Sequence, residues 1–341
     1  MKVAVIFGGR SAERDVSVAS GAQVVDALSG LGYDVVAVDT AKGVLDSTET
    51  DRWLAADIRK VPPEADALAM IRTGISTIIA SPELGDCEVF FLALHGGVGE
   101  DGTLQAVLDL AGVPYTGSRH MASVYAMDKD VSKRIALSMD IPTPNWLMAP
   151  APADQVAAHV GFPAVVKPNK QGSTIGLSIV ETPGCLDQAV REASVYDDEV
   201  MIETLISGRE LTVGVLEDRA LSVGEIIPRC SGIFDYESKY QEGGAEEIFP
   251  AEIGDVLTSR VQELALRVHR ALKLSDYSRI DFRLDAEGTP WFLEANSLPG
   301  LTAGSLLPKS AAASGIDFSE LCERICRLAL CRFAAGDNDP N

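Results

Sequence analysis

Arg279-Ile280-Asp281-Phe282-Arg283-Leu284, followed closely by Trp291-Phe292-Leu293-Glu294-Ala295-Asn296, has the alternating polar and apolar pattern of two β-strands. Residues 285–289 lie between them, and Glu287-Gly288 is the chemistry of a two-residue hairpin loop. Such a loop sets a register in which Asp281 faces Glu294 and Arg279 faces Asn296, with Cβ atoms roughly 5 Å apart. Like charges held that close are unfavourable unless a cation joins them. Two carboxylates and an amide oxygen converging from neighbouring strands are hard ligands, the kind Mg²⁺ takes when it also binds substrate phosphates. The stretch points to Mg²⁺-nucleotide chemistry. The competing reading is an edge hairpin whose acids are solvated.

Bulk properties narrow the classes. A chain of 341 residues is too long for one ordinary core and implies two or three domains. With 46% hydrophobic and 23% charged residues it is globular, and no apolar run is long enough to span a membrane. The N-terminus has no signal-peptide pattern, so a cytoplasmic location is expected. A net charge of −21 argues against nucleic acid as a partner, because that binding needs cations to neutralise phosphates. Any nucleotide site must therefore gather its few lysines and arginines in one place. The six cysteines include no C-x-x-C and read as reduced thiols.

Residues 3–7 form a buried-type strand, Gly8-Gly9 a turn, and Ser17 a candidate cap for a helix ending near Leu28. Further strands are expected at 33–38 and 89–94, the latter running into a second glycine-rich turn at 95–102 and a helix over 103–110. Both turns fall where strands hand over to helices, the edge at which open α/β sheets bind ligands. A dinucleotide fold is the rival, but Gly8-Gly9-Arg10-Ser11 lacks the G-x-G-x-x-G spacing. A second unit opens at Ser118, with one helix over 127–139 carrying Lys129 and Lys133, and a strand delivering Lys167 to the polar loop 169–176. Small polar residues and glycines beside a lysine suit phosphate oxygens, although the stretch is not a Walker A sequence; an ordinary hairpin turn is the alternative. The third unit starts at the strand from Val200. It contains the aperiodic stretch 229–250, read as a lid, then a helix over 257–272, the acidic hairpin, and a last helix over 318–333. The expected division is 1–117, 118–201 and 202–335, with a disordered tail at 336–341.

Taken together, these motifs resemble the D-alanine-D-alanine ligases of the ATP-grasp superfamily over nearly the whole chain. The carriers are Phe7 to Ser17, Leu94 to Gln105, Pro114 to Ser118, Met127-Asp128-Lys129, Lys167-Pro168, Gly172 to Gly176, Asp235 to Tyr240, Arg279-Ile280-Asp281, and Leu293 to Gly300. The resemblance implies an α/β (α+β) ATP-grasp fold with an N-terminal open parallel-sheet domain. It also implies ATP-dependent joining of two D-alanines through a D-alanyl phosphate, for peptidoglycan synthesis. By likeness, Asp281, Glu294 and Asn296 hold two Mg²⁺ ions, for which Mn²⁺ can substitute. Lys129, Lys167 and Lys239 contact phosphates; Glu203, Thr204, Ile206 and Leu293 surround adenine, and Glu210 meets the ribose. Glu13 pairs with the first D-alanine's ammonium near Val16 and His95, and forms a bonded set with Ser173 and Tyr240. Arg279 and the Gly300 N–H hold the oxyanion, while Ser305 and Leu306 position the second substrate. A homodimer is the family's usual assembly.

Three positions depart from the family pattern: Phe234, Leu298 and Gly304, the last where a histidine is common before the serine. Gly304 removes any side-chain contact to the second substrate at that point. Tyr240 goes with an amine acceptor in this family, so D-alanyl-D-alanine rather than D-alanyl-D-lactate is the expected product. A ligase with altered acceptor choice, or an ATP-grasp scaffold that binds nucleotide without ligating, remains the competing class.

Overall fold

Lys2–Phe7 (β1) is buried from Val3 onward, as a strand must be when it has neighbours on both edges and helices on its faces. It pairs in parallel with Asp34–Asp39 (β2) and Val89–Leu92 (β4), and Gly43–Val44 (β3) adds an antiparallel edge. A computed structural model of the chain describes residues 1–46, 81–228 and 245–336. The helix after β1, Arg14–Gly30 (α1), begins three residues before the expected cap. Ser17 instead joins the two glycine turns, its hydroxyl accepting from the Gly8 N–H at 2.8 Å and donating to the Ala93 carbonyl at 2.7 Å. Gly8 has φ +93°, and a Cβ there would strike the Asp39 carboxylate and the Arg14 guanidinium, so the turn requires glycine. Thr103–Ala111 (α2) follows the second turn.

The expected helix over 127–139 is Lys129–Ser138 (α4), and a further helix that the sequence did not indicate, His120–Met127 (α3), precedes it. Asp128 separates them, its carboxylate accepting from the Val131 N–H at 3.0 Å as an N-cap. The second sheet has the order β5-β8-β6-β7, from Trp146–Met148 (β5), Ala164–Pro168 (β6), Ser178–Val180 (β7) and Val200–Thr204 (β8). Ala153–His159 (α5) and Leu186–Ala193 (α6) close its core through Val156, Leu186, Ala189 and Ala193. The strand from Val200, read from sequence as the start of the third unit, is central in this second sheet. Its hydrophobic run is equally suited to either sheet, and its pairing with β6 decides the matter.

The third sheet is antiparallel, in the order β11-β10-β9-β12-β13. Its strands are Arg209–Leu216 (β9), Arg219–Pro228 (β10), Ala245–Ile248 (β11), Tyr277–Leu284 (β12) and Pro290–Asn296 (β13). Asp255–Ala271 (α7) covers it with Val261, Leu264, Ala265 and Val268, a helical stripe that meets Ala122, Ala126 and Ala136 of α3 and α4 in one core. Thus α3 and α4 pack with the third unit although they precede the second sheet in the chain. Most of the stretch read as a lid, including Phe234, Lys239, Tyr240 and Gly243-Gly244, lies outside the described residues; its end, 245–248, is a strand. Leu306–Ala312 (α8) follows the hairpin. Phe318–Gly336 (α9) returns to the first sheet, where Leu321, Ile325 and Ala329 share a core with Val3 and Phe91. Among the described residues no helix is long and apolar enough to cross a membrane.

The acidic hairpin differs from expectation in one respect. The loop is Ala286-Glu287-Gly288, not two residues: Gly288 N–H donates to the Asp285 carbonyl at 3.2 Å, Thr289 N–H to the Asp285 carboxylate at 2.7 Å, and Gly288 has φ +80°. The longer loop shifts the pairing by one, so Leu284 faces Pro290 and Phe282 faces Phe292. A bulge at Leu293 then restores the expected register, with Asp281 opposite Glu294 and Arg279 opposite Asn296.

Candidate active site

β12 lies between β9 and β13, so Asp281 is an interior residue, only 8% exposed, and the solvated-edge reading fails. Its carboxylate accepts from Thr212 of β9 at 2.7 Å, from the Asn296 amide at 3.1 Å, and from Arg279 Nε and a terminal guanidinium nitrogen at 3.0 and 2.9 Å. Opposite, Glu294 reaches Lys129 Nζ at 3.3 Å. Asp281, Asn296, Arg279, Glu294 and Lys129 line one cavity of about 510 Å³. Two carboxylates and an amide on adjacent strands fit a hard dication. Among the described residues no group of three His, Cys, Asp or Glu side chains forms a self-contained cage, so such an ion would complete its shell with ligand oxygens.

Five cations line this cavity, Lys129, Lys167, Arg279, Arg283 and Lys309, each paired with a carboxylate. Lys167 on β6 meets Glu203 on β8 at 2.7 Å, Arg283 meets Glu210 at 3.9 Å, and Lys309 on α8 meets Glu247 at 2.6 Å, beside the Lys129–Glu294 and Arg279–Asp281 pairs. An arriving polyanion would bind by partner exchange, replacing carboxylates rather than hydrating water alone. Glu203, Thr204, Ile206, Glu210 and Leu293 line the same cavity. The bulge that restores the register is what presents Leu293 out of pairing. Lys129 is held by the Gln171 carbonyl at 2.8 Å, tying α4 to the polar loop.

That loop carries Ser173 and Thr174 with φ of 54° and 62°, a left-handed pair that costs backbone strain in non-glycine residues. The surroundings hold it: the Ser173 hydroxyl donates to Glu13, which arrives from the start of α1. His95 also lines the cavity, yet both ring nitrogens are engaged. Nδ1 donates to the Leu298 carbonyl at 3.0 Å, so Nε2 accepts from Ser20 at 3.1 Å, and burial pushes the imidazole's pKa below its ordinary value. Neutral His95 thereby fixes the loop after β13 against α1. Gly300, Ser305 and Leu306 line the cavity as well, with the Ser305 hydroxyl 2.8 Å from that of Thr302. Val16 does not line it: it lies in the first turn of α1 and is 1% exposed. Lys239 and Tyr240 lie outside the described residues.

Lys309, Lys133 and Glu100 are among the neighbours that escaped the motif reading. Lys133 was visible one turn after Lys129 on the same helix, but nothing in the chain showed that it meets Glu203. Glu100 stands in the cavity wall, accepting from the Gly96 N–H at 3.0 Å and the Leu298 N–H at 3.4 Å. Burial first, and the Glu13 charge second, push its carboxyl up to about 7, while the two N–H bonds and Arg279 oppose them. Between the unfolded value near 4.5 and 7, the native state keeps a proton that the unfolded chain has lost, so stability falls as pH rises through that window. Glu100→Gln stays neutral throughout. Urea unfolding at pH 5 and pH 8 should show a decline about 2 kcal/mol smaller for the variant than for the parent; equal declines would mean that Glu100 does not retain its proton on folding.

The D-ala D-ala ligase N-terminus profile matches residues 2–118 and the C-terminus profile residues 138–327. The chain belongs to the D-alanine-D-alanine ligase family. It is 40% identical over 327 residues to the D-alanine–D-alanine ligase of Geobacter sulfurreducens, covering 95% of this chain and 92% of that one. The crystal structure of the Bacillus anthracis ligase superposes with a TM-score of 0.79 at 32% identity, covering 98% and 99% of the two chains. The same ligase complexed with ATP gives 0.77 at 30% identity, with equal coverage. Membership in this ligase family carries the ATP-grasp fold with it.

Proposed function

We propose that this chain joins two D-alanines to D-alanyl-D-alanine at the expense of ATP, through a D-alanyl phosphate, for peptidoglycan precursor synthesis. One observation carries the reading. Glu13 of the first unit, bonded to Ser173 of the polar loop, opens into the same cavity as Lys129, Lys167 and the Asp281–Glu294 pair. An ammonium-binding acid and a phosphate-binding set thus share one enclosure.

A carboxylate is a poor electrophile until activated. A carboxylate oxygen of the first D-alanine attacks the γ-phosphorus of ATP, the bond to the β,γ-bridging oxygen breaks, and ADP leaves. The neutral amine of the second D-alanine then attacks the acyl carbon, loses a proton, and the C–O bond to phosphate breaks. Glu13 would pair with the first substrate's ammonium, with His95 fixed behind it. Lys129 and Lys167 would neutralise phosphate oxygens, Lys239 joining them, while Glu203 and the backbone from Thr204 to Ile206 receive adenine and Glu210 the ribose. Arg279 and the Gly300 N–H, both of which line the cavity, would serve as donors for the charge that develops on the tetrahedral carbon's oxygen. Ser305 and Leu306 would place the second substrate's carboxylate. Asp281, Glu294 and Asn296 would hold Mg²⁺, which supplies charge neutralisation at the transferring phosphoryl group. The proposal includes a cytoplasmic homodimer, resting on family likeness. ADP release that depends on D-alanine and is absent with L-alanine is the expected result; nucleotide binding without such release would reduce the chain to an inactive scaffold.

A further inference from the structure

We propose that Lys133 is a positioning residue for nucleotide binding: as the standing counter-ion of Glu203, it frees Lys167 to exchange that carboxylate for a phosphate. The inference deepens the reading above, since it rests on Lys167 as a phosphate contact.

Glu203 holds two ammonium groups at once. Lys167 Nζ bonds one oxygen at 2.7 Å, and Lys133 Nζ bonds the other. The two lysines are not equivalent. Lys167 lines the cavity, whereas Lys133 is 0% exposed, reaches in from α4, and has its ammonium 4.8 Å from the ring centroid of Trp146 on β5. Lys133 cannot follow a ligand, and Lys167 can. Glu203 itself is 2% exposed. Were Lys167 its one partner, the departure of Lys167 would strand a buried carboxylate without a counter-charge, which is strongly unfavourable. With Lys133 in place the carboxylate stays paired after Lys167 has turned to phosphate. The register supports the geometry: Val165 and Trp146 flank Glu203 directly, and Lys167, two residues along β6, lies on the same face diagonally. Before ligand arrives, the three groups sum to one positive charge, suited to an anion. Burial favours a neutral Glu203, yet the two lysines hold its carboxyl below the usual value.

Lys133→Met leaves Lys167 and Glu203 as a neutral pair, so the fold has no orphaned charge, and Lys133→Gln keeps a donor to Glu203. Adenosine and ADP with Mg²⁺ are titrated calorimetrically against the full chain and its variants. In both Lys133 variants ADP should bind about tenfold or more weakly, with adenosine changed less than about threefold, because adenosine does not call Lys167 away. In a Glu203→Gln background, where no charge needs a counter-ion, Lys133→Met should cost ADP less than about threefold. Equal losses for adenosine and ADP, no loss for either, or an undiminished ADP loss in the Glu203→Gln background would each overturn the proposal. Lys167→Met separates the two readings: it should weaken ADP and spare adenosine, and unchanged ADP binding would overturn the phosphate role of Lys167 instead.

Discussion

Glu294→Gln is expected to lower turnover by about 10²-fold or more while the melting temperature stays close to that of the parent. The side chain faces Asp281 across the β12–β13 pair and is 3.3 Å from Lys129, so in the proposed site its charge would be shared between Mg²⁺ and a lysine that turns to phosphate. Glutamine keeps the volume and the ability to accept a hydrogen bond but withdraws the charge. Where a metal and a lysine together stabilise a transferring phosphoryl group, that charge is the part that matters. Steady-state ADP release measured over a range of Mg²⁺ concentration tests this, and activity within a few-fold of the parent would remove Glu294 from the metal site.

Arg279→Met should lower kcat by about 10²- to 10³-fold, the scale on which loss of one preorganised oxyanion donor is felt. Arg279 grips Asp281 through two guanidinium nitrogens, a planar fork that fixes the direction of its remaining donors. Arg279→Lys restores the charge without the fork and should recover little. Asp281 keeps its bonds from Thr212 and Asn296 in both variants, but Arg279→Met also removes its counter-charge, so the melting temperature should fall in that variant and hold better in Arg279→Lys. Rates near the parent's in the lysine variant would mean that charge alone, not aim, is what Arg279 supplies.

The acidic hairpin was legible because its chemistry depends on two cross-strand partners and little else. Even there, two local errors cancel: the loop is one residue longer than Glu287-Gly288 indicates, and the bulge at Leu293 takes up the difference. Glycine at φ > 0 suits both loop types, and a bulge leaves little trace in an alternating pattern. Ser17 shows a similar limit. Serine before an apolar run reads as a helix cap, but the competing backbone donor, Gly8, comes from another turn. The shift of Glu100 and the pairing of Lys133 became legible only when distant segments met, since both are made by neighbours remote in sequence. Unit boundaries were the least legible, because hydrophobic periodicity shows that a face is buried without naming the surface that buries it.

The path of α9 has a consequence for synthesis. Its apolar face completes the core around β1, although these segments stand at opposite ends of the chain. While the ribosome is still making the hairpin, the parallel sheet has been exposed for most of translation without one of its covers. Contacts of such long sequence separation form late and slowly, and an uncovered apolar face is what chaperones bind. β1 is made long before α9, so the folding of its sheet must wait for that helix to leave the exit tunnel.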